Sequence, residues 1–141
     1  MMHSDLEDIE RLEKLEEIIL ELKEFAQAGA IIIVEGRKDE GSLRHLGING
    51  DFQFASQQPL LDLTDSLSKT RKDIVLLTDW DKKGSLVARK IIKYLSAYGI
   101  VPNTEIRLRL RSLSKKRIKD IESLNNYVNK LRYEIHGIMR F

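Results

Sequence analysis

Asp73-Ile74-Val75-Leu76-Leu77-Thr78-Asp79-Trp80-Asp81-Lys82-Lys83-Gly84 runs from an unbroken apolar stretch straight into two aspartates and a glycine. Apolar side chains on both faces mark a strand buried inside a parallel sheet, since a half-exposed strand would alternate. The spacing after it predicts a long helix to Tyr98, stopped by Gly99. A second such stretch, Ala30-Ile31-Ile32-Ile33-Val34, ends in Glu35-Gly36. In parallel sheets, ligands bind beyond the C-terminal ends of the strands. If these two strands are neighbours, Glu35, Asp79 and Asp81 converge there.

The remaining chain fills in an alternating α/β pattern. Residues 5–27 read as a helix with Ser4 as N-cap, an apolar stripe through Leu15, Ile18, Ile19, Leu22, Phe25 and Ala26, and a stop at Gly29. Asp39 to Leu46 reads as a short helix, Asp51 to Ala55 as a strand, and residues 59–70 as a helix burying Leu60, Leu61, Leu63 and Leu67. Thr104 to Arg111 alternates strictly, with Ile106, Leu108 and Leu110 against Arg107, Arg109 and Arg111, and is expected to be a strand. Residues 115–135 are expected to form the last helix, with Ile118, Ile121, Leu124, Val128, Leu131 and Ile135 inward. Strands alternating with helices imply a mostly parallel sheet. The expected domain plan is an amphipathic helix over 1–28, a core domain over 29–112, and a basic helix over 113–141 packed on it.

The 141 residues suit one core. No apolar run approaches the roughly 20 residues of a membrane span, and the acidic start does not resemble a signal peptide, so a cytoplasmic protein is expected. The absence of cysteine excludes thiolate zinc sites and cysteine nucleophiles. Net charge is +2, but residues 1–28 carry nine acids and three bases, whereas residues 105–141 carry ten bases and four acids. A basic end suits a polyanion partner. It equally suits an acidic helix lying beside a basic tail in one molecule.

Three converging carboxylates repel one another, and without a cation at least one tends to protonate. Oxygen ligands free of sulfur favour Mg2+ or Mn2+. Alternate side chains of Asp79-x-Asp81 can lean toward one ion, and Gly84 lets the chain turn closely into a helix whose N-terminus attracts phosphate. Each piece also has a plain structural reading: Glu-Gly as a turn, Asp-x-Asp as a helix N-cap with a solvated neighbour.

Val34-Glu35-Gly36-Arg37-Lys38-Asp39 resembles the first motif of the Toprim family, and Thr78-Asp79-Trp80-Asp81-Lys82-Lys83-Gly84 resembles the second. The likeness covers about residues 29–112. It looks closest to small stand-alone Toprim proteins, and is similar to the Toprim part of DnaG-type primases and of the ribonuclease that matures small ribosomal RNA. The resemblance implies a Rossmann-like α/β fold with a mainly parallel four-stranded sheet and added terminal helices. It implies metal ligation by Asp79 and Asp81, with Glu35 as a further ligand or as general acid/base. Asp39 matches an additional acid of primase-like members. Lys83 stands where topoisomerase-type members often carry a third acid. Glu122, in Lys119-Asp120-Ile121-Glu122, resembles an acid of the ribonuclease group.

Candidate contacts to nucleic acid are Arg37 and Lys38 directly after Glu35, Lys82, Lys83, Arg89 and Lys93 along the long helix, and a cationic stripe of Arg107, Arg109, Arg111, Lys115, Lys116 and Arg117. Trp80 should point away from the aspartates into core or rim. The expected function is Mg2+-dependent binding of RNA or DNA with phosphodiester cleavage or transfer, nuclease-like or primase-like. The alternative is a non-catalytic Toprim module, acting through nucleic acid, a protein partner or a second copy. Gly84 and the short remainder after it argue against a haloacid-dehalogenase type phosphatase, and the glutamate-bearing strand argues against a receiver domain.

Overall fold

The computed structural model describes residues 6–114 and 116–137. The Ser4 cap and Lys115 lie outside them. The elements are α1 (Leu6–Gln27), β1 (Ile31–Val34), α2 (Arg37–His45), β2 (Asp51–Phe54), α3 (Leu60–Ser68), β3 (Ile74–Leu76), α4 (Lys82–Ser96), α5 (Glu105–Ser114) and α6 (Leu124–His136). The sheet has the order β2-β1-β3, with both pairings parallel. This is a mixed α/β, Rossmann-like fold.

The apolar strands separate their side chains by the period of two. Ile32, Val34, Val75 and Leu77 enter one core with Leu15, Ile18 and Leu22 of α1, Leu43 of α2, Ile106 and Leu110 of α5 and Val128 of α6. Ile31, Ile33, Ile74 and Leu76 enter a second core with Leu63 and Leu67 of α3 and Ala88, Ile91 and Leu95 of α4. The sheet is therefore the middle of three layers. Leu61, expected inside, is exposed.

Two expectations about the C-terminal half fail. Among the described residues the sheet has three strands, and the place of a fourth is taken by one residue. Asn103 donates its N–H to Ile74 and accepts from the Leu76 N–H, at 2.8 and 2.9 Å, in an isolated parallel bridge to Val75. The chain then turns into α5 rather than continuing as the strand expected over 104–111. Ile106, Arg107, Leu110 and Ser114 are buried there, a helical stripe, while Leu108 is exposed. The alternating pattern misleads because one arginine of its cationic face goes inward. The guanidinium of Arg107 finds carbonyl acceptors just beyond the end of β3, which offset the cost of burying its charge. The helix expected over 115–135 begins only at Leu124, because residues 116–123 form a turn held by hydrogen bonds to Asp79 and Trp80.

Candidate metal centre

β1 and β3 lie side by side, and β1 leads away to β2 on its other edge. The crevice beyond their C-terminal ends is thus the switch point of the sheet, where this class of fold places ligands. Glu35 follows β1 directly, Asp79 follows β3, and Asp39 sits in the first turn of α2. Ligand oxygens of Glu35, Asp39 and Asp79 all lie within 4.8 Å of one another.

Local bonding fixes each of the three. The Glu35 carbonyl accepts from Ser56 Oγ at 2.6 Å and from the Ser56 N–H at 3.2 Å, tying the end of β1 to the loop after β2. Asp39 Oδ2 accepts from the Gly36 N–H at 3.0 Å, which caps the start of α2 and turns the carboxylate toward the crevice. Asp79 Oδ1 accepts from the Ile121 N–H at 3.0 Å. One carboxylate oxygen, Glu35 Oε1, is buried and has no hydrogen-bond partner.

The wall behind Asp79 is built from β3, α4, α5 and the 116–123 turn. Gly84 is obligatory there, because a Cβ at that position would lie 2.1 Å from the Asp79 carbonyl oxygen. Thr78 Oγ1 donates to the Gly84 carbonyl at 2.9 Å and closes the loop. Arg107 donates to the carbonyls of Thr78 and Asp79, at 2.8 and 2.6 Å, and to Ser85 Oγ at 3.0 Å. Trp80 points into the core, as its position between the aspartates suggested. Its Nε1 donates to the Ile118 carbonyl at 2.8 Å and its N–H to the Lys119 carbonyl at 3.1 Å, so this residue staples the 116–123 turn to the site.

The electrostatics are those of crowded acids. Asp39 is raised from 3.8 to about 6, first by burial and then by the charge of Asp79, with Glu122 and Asp120 adding and the Gly36 N–H opposing. Asp79 is pushed well above the carboxylate range by burial and by the neighbouring Glu35 carboxylate, against the pull of the Ile121 N–H. Three oxygen donors at this separation, one of them an orphaned buried atom, fit a divalent cation. The cluster could hold a metal ion.

The other expected residues fall in different places. Asp81 is exposed and stands apart from the converged trio. It is the N-cap of α4, with Oδ1 accepting from the Gly84 N–H at 2.7 Å. Glu122 reaches the site through its charge and lies 4.0 Å from Lys38 Nζ. Arg37, Lys38, Lys82, Lys83, Arg89, Lys93, Arg111, Lys116 and Arg117 are exposed. Arg107 is buried, and Arg109 forms a two-point ion pair with Glu21 of α1 at 2.6 and 2.9 Å. A continuous cationic strand face is therefore absent from the described residues. Arg132 pairs with Glu16 in the same way, at 2.6 and 2.9 Å. Part of the charge segregation is thus the acidic helix lying against basic helices. Sequence reasoning passed over Asp120, which acts on both Asp39 and Asp79. Its signal was present: it lies two residues from Glu122 in the same turn.

An α/β sheet with acids at the ends of two adjacent parallel strands is the architecture of a Toprim domain, and the Toprim domain family matches residues 30–113 of this chain. The chain belongs to that family, and with it comes a metal-binding, nucleic-acid-related role. Its relatives are UPF0292 proteins: one of Methanosarcina barkeri is 47% identical over 122 residues, covering 86% of this chain and 85% of the relative. Another, of Methanocaldococcus jannaschii, is 43% identical over 122 residues, covering 86% and 94%. A third, of Pyrococcus horikoshii, is 40% identical over 116 residues, covering 82% and 85%. A solved structure of a protein from Aquifex aeolicus superposes with a TM-score of 0.66 at 30% identity, covering 77% of this chain and 96% of that one. Among the described residues no helix is long and apolar enough to cross a membrane.

Proposed function

We propose that this protein carries out Mg2+- or Mn2+-dependent phosphodiester cleavage or transfer on RNA or DNA, in the manner of a nuclease or a primase-like transferase. The observation that supports it is the convergence of Glu35, Asp39 and Asp79 around a buried, unpartnered Glu35 oxygen. Like charges brought this close at the end of a buried sheet call for a cation, and an all-oxygen set in a chain without cysteine suits a hard one. A bound ion would supply positive charge to the phosphate and its leaving oxygen. Glu35, whose carboxylate lies in the same cluster as Asp79, is suited to carry a proton at the same phosphodiester. The N-termini of α2 and α4 both open at the site, and Arg37, Lys38, Lys82 and Lys83 in their first turns are exposed to take flanking phosphates.

A second reading, a non-catalytic Toprim module serving a larger assembly, draws support from Asp81. Its Oδ1 is engaged in capping α4, and Asp81 is not part of the converged Glu35–Asp39–Asp79 trio. One assay separates the two. Purified protein is incubated with labelled single-stranded, duplex and structured RNA and DNA plus Mg2+ or Mn2+, beside Glu35→Gln. Metal-dependent cleavage lost in the variant supports the enzyme. Salt-sensitive binding without turnover supports the module. The absence of both would overturn both.

A further inference from the structure

Among the described residues, α4 is the one helix that carries bases and no acid. Its bases are Lys82, Lys83, Arg89, Lys90 and Lys93, and all five are exposed. None of them forms an ion pair among the described residues, whereas Arg11, Arg44, Arg109 and Arg132 are each held by a carboxylate. The neighbouring α3 does not supply one: its Asp65 is taken by Lys69 and by the Tyr98 hydroxyl. Lys93 stands one turn from both Arg89 and Lys90, so like charges repel along the helix. A polyanion laid on this face would relieve that repulsion.

The arrangement of the face selects the polyanion. Gly84, Ala88, Ile91 and Leu95 are the buried side of α4. At 3.6 residues per turn, Leu86 and Lys93 point directly away from that side, with Lys82 and Arg89 on one flank and Lys83 and Lys90 on the other. Leu86, at the centre, is 48% exposed. A single strand is held by stacking its bases on aromatic rings, and this face has none: Tyr94 is half-buried and Tyr98 lies beyond the helix end. The major groove of an A-form duplex is too narrow for side chains to read. That of B-form DNA is about 12 Å wide and admits an α-helix.

We propose that α4 docks in the major groove of a B-form DNA duplex, with its N-terminus leading to the acidic cluster. The bases on the two flanks reach the phosphates on the two walls of the groove, and Leu86 meets the base edges, where a thymine methyl is its apolar partner. Lys82 to Lys93 spans about 16 Å along the axis, enough to engage both walls. The helix starts beside Asp79, since the Asp79 carbonyl packs on Gly84 in its first turn. The docking deepens the proposed function and rests on it for what happens to the bound strand. The binding itself does not need metal, because the acids repel phosphate without a cation and the α4 face attracts it.

The test measures fluorescence anisotropy of a labelled DNA duplex, an RNA duplex of the same sequence and single-stranded DNA with the full chain in EDTA over a range of salt. Wild type is compared with Arg89→Ala/Lys93→Ala, on the part of α4 away from the acids. The control is Lys69→Ala/Lys130→Ala, which removes the same charge from the end of α3 and from α6. Melting temperature and Mn2+ binding are measured alongside, and both should be unchanged in the α4 variant. Wild type is expected to bind the DNA duplex in EDTA, and more tightly than the other two. The α4 variant should lose about 1.8 from the salt slope on that duplex, two phosphate contacts at about 0.9 each. The control should keep the wild-type slope. An α4 variant with the wild-type slope overturns the docking, as does an RNA duplex or single strand bound as tightly as the DNA duplex. If the α4 variant binds normally while Glu35→Gln abolishes turnover, the docking falls and the catalytic reading stands. If it weakens duplex binding and wild type shows no turnover, the docking stands and the catalytic reading falls.

Discussion

Replacing Asp39 by Asn should make the metal-free protein more stable, and should do so only as pH rises above the unfolded carboxyl value of 3.8. Asp39 is 6% exposed and its carboxyl is raised from 3.8 to about 6 by burial and by Asp79. The folded state therefore binds this proton more tightly than the unfolded state. Stability from this group is fully present below the unfolded value of 3.8 and is lost as pH rises through the folded value of about 6. The full loss is the difference of about 2.2 multiplied by 1.36, or about 3 kcal/mol. Asn keeps an oxygen to accept from the Gly36 N–H and carries no charge, so it escapes the loss. At pH 8 in EDTA, Asp39→Asn should exceed wild type by about 2 to 3 kcal/mol, roughly 8 to 12 °C in melting temperature for a domain of this size. At pH 3.5 the two should coincide. Saturating Mg2+ at pH 8 should reverse the trend, since ligand at a hundred times its Kd adds about 2.7 kcal/mol to the protein that binds it, and the variant has lost a ligand. Urea denaturation at both pH values, with and without Mg2+, supplies the four comparisons. A wild type more stable than Asp39→Asn at pH 8 in EDTA would refute the account of the cluster as repelling acids awaiting a cation.

Other outcomes follow from the same geometry. Gly84→Ala forces a methyl group against the Asp79 carbonyl and should cost about 3 kcal/mol or more in denaturant unfolding, with loss of Mn2+ binding by calorimetry. Arg107→Leu leaves the Thr78 and Asp79 carbonyls without their donor, so a loss of about 3 kcal/mol is expected; a near-neutral result would show that the guanidinium is replaceable by apolar packing. Arg109→Ala should cost at most about 1 kcal/mol, since its partner Glu21 is at the surface, and should leave nucleic-acid affinity nearly unchanged because the charge is already paired. Trp80→Phe removes the bond to the Ile118 carbonyl and should cost about 1 to 2 kcal/mol, with faster amide exchange at Ile121 as the turn loosens.

The strands of the sheet, both acid-bearing strand ends and the helices α1 to α4 were legible because each is written locally. Apolar runs buried on both faces announce parallel strands, and the helical stripe of α1 is carried by successive turns of one segment. Glu35 and Asp79 could be named from those strands alone, since strand ends in such sheets are where ligands sit. Asp39 was visible as a further acid, but nothing local said that the Gly36 N–H would turn it into the same crevice.

Beyond those elements, tertiary contacts decided. Alternating Ile-Arg-Leu-Arg-Leu-Arg over 106–111 satisfies a strand's period as well as half of a helix's, and the choice was made by two carbonyls at the end of β3 that accept Arg107. Asp81 could have been ligand or cap from sequence, and the Gly84 N–H settled its Oδ1 as a cap acceptor. Asp120 and Glu122 reach the acids only because Trp80 holds the Ile118 and Lys119 carbonyls, a contact across 38 residues. The sequence by itself determined the layers of the fold and the two strand ends that carry Glu35 and Asp79. The membership of the acidic cluster and the fate of each arginine depended on which distant backbone groups needed a partner, and that is a property of the folded chain alone.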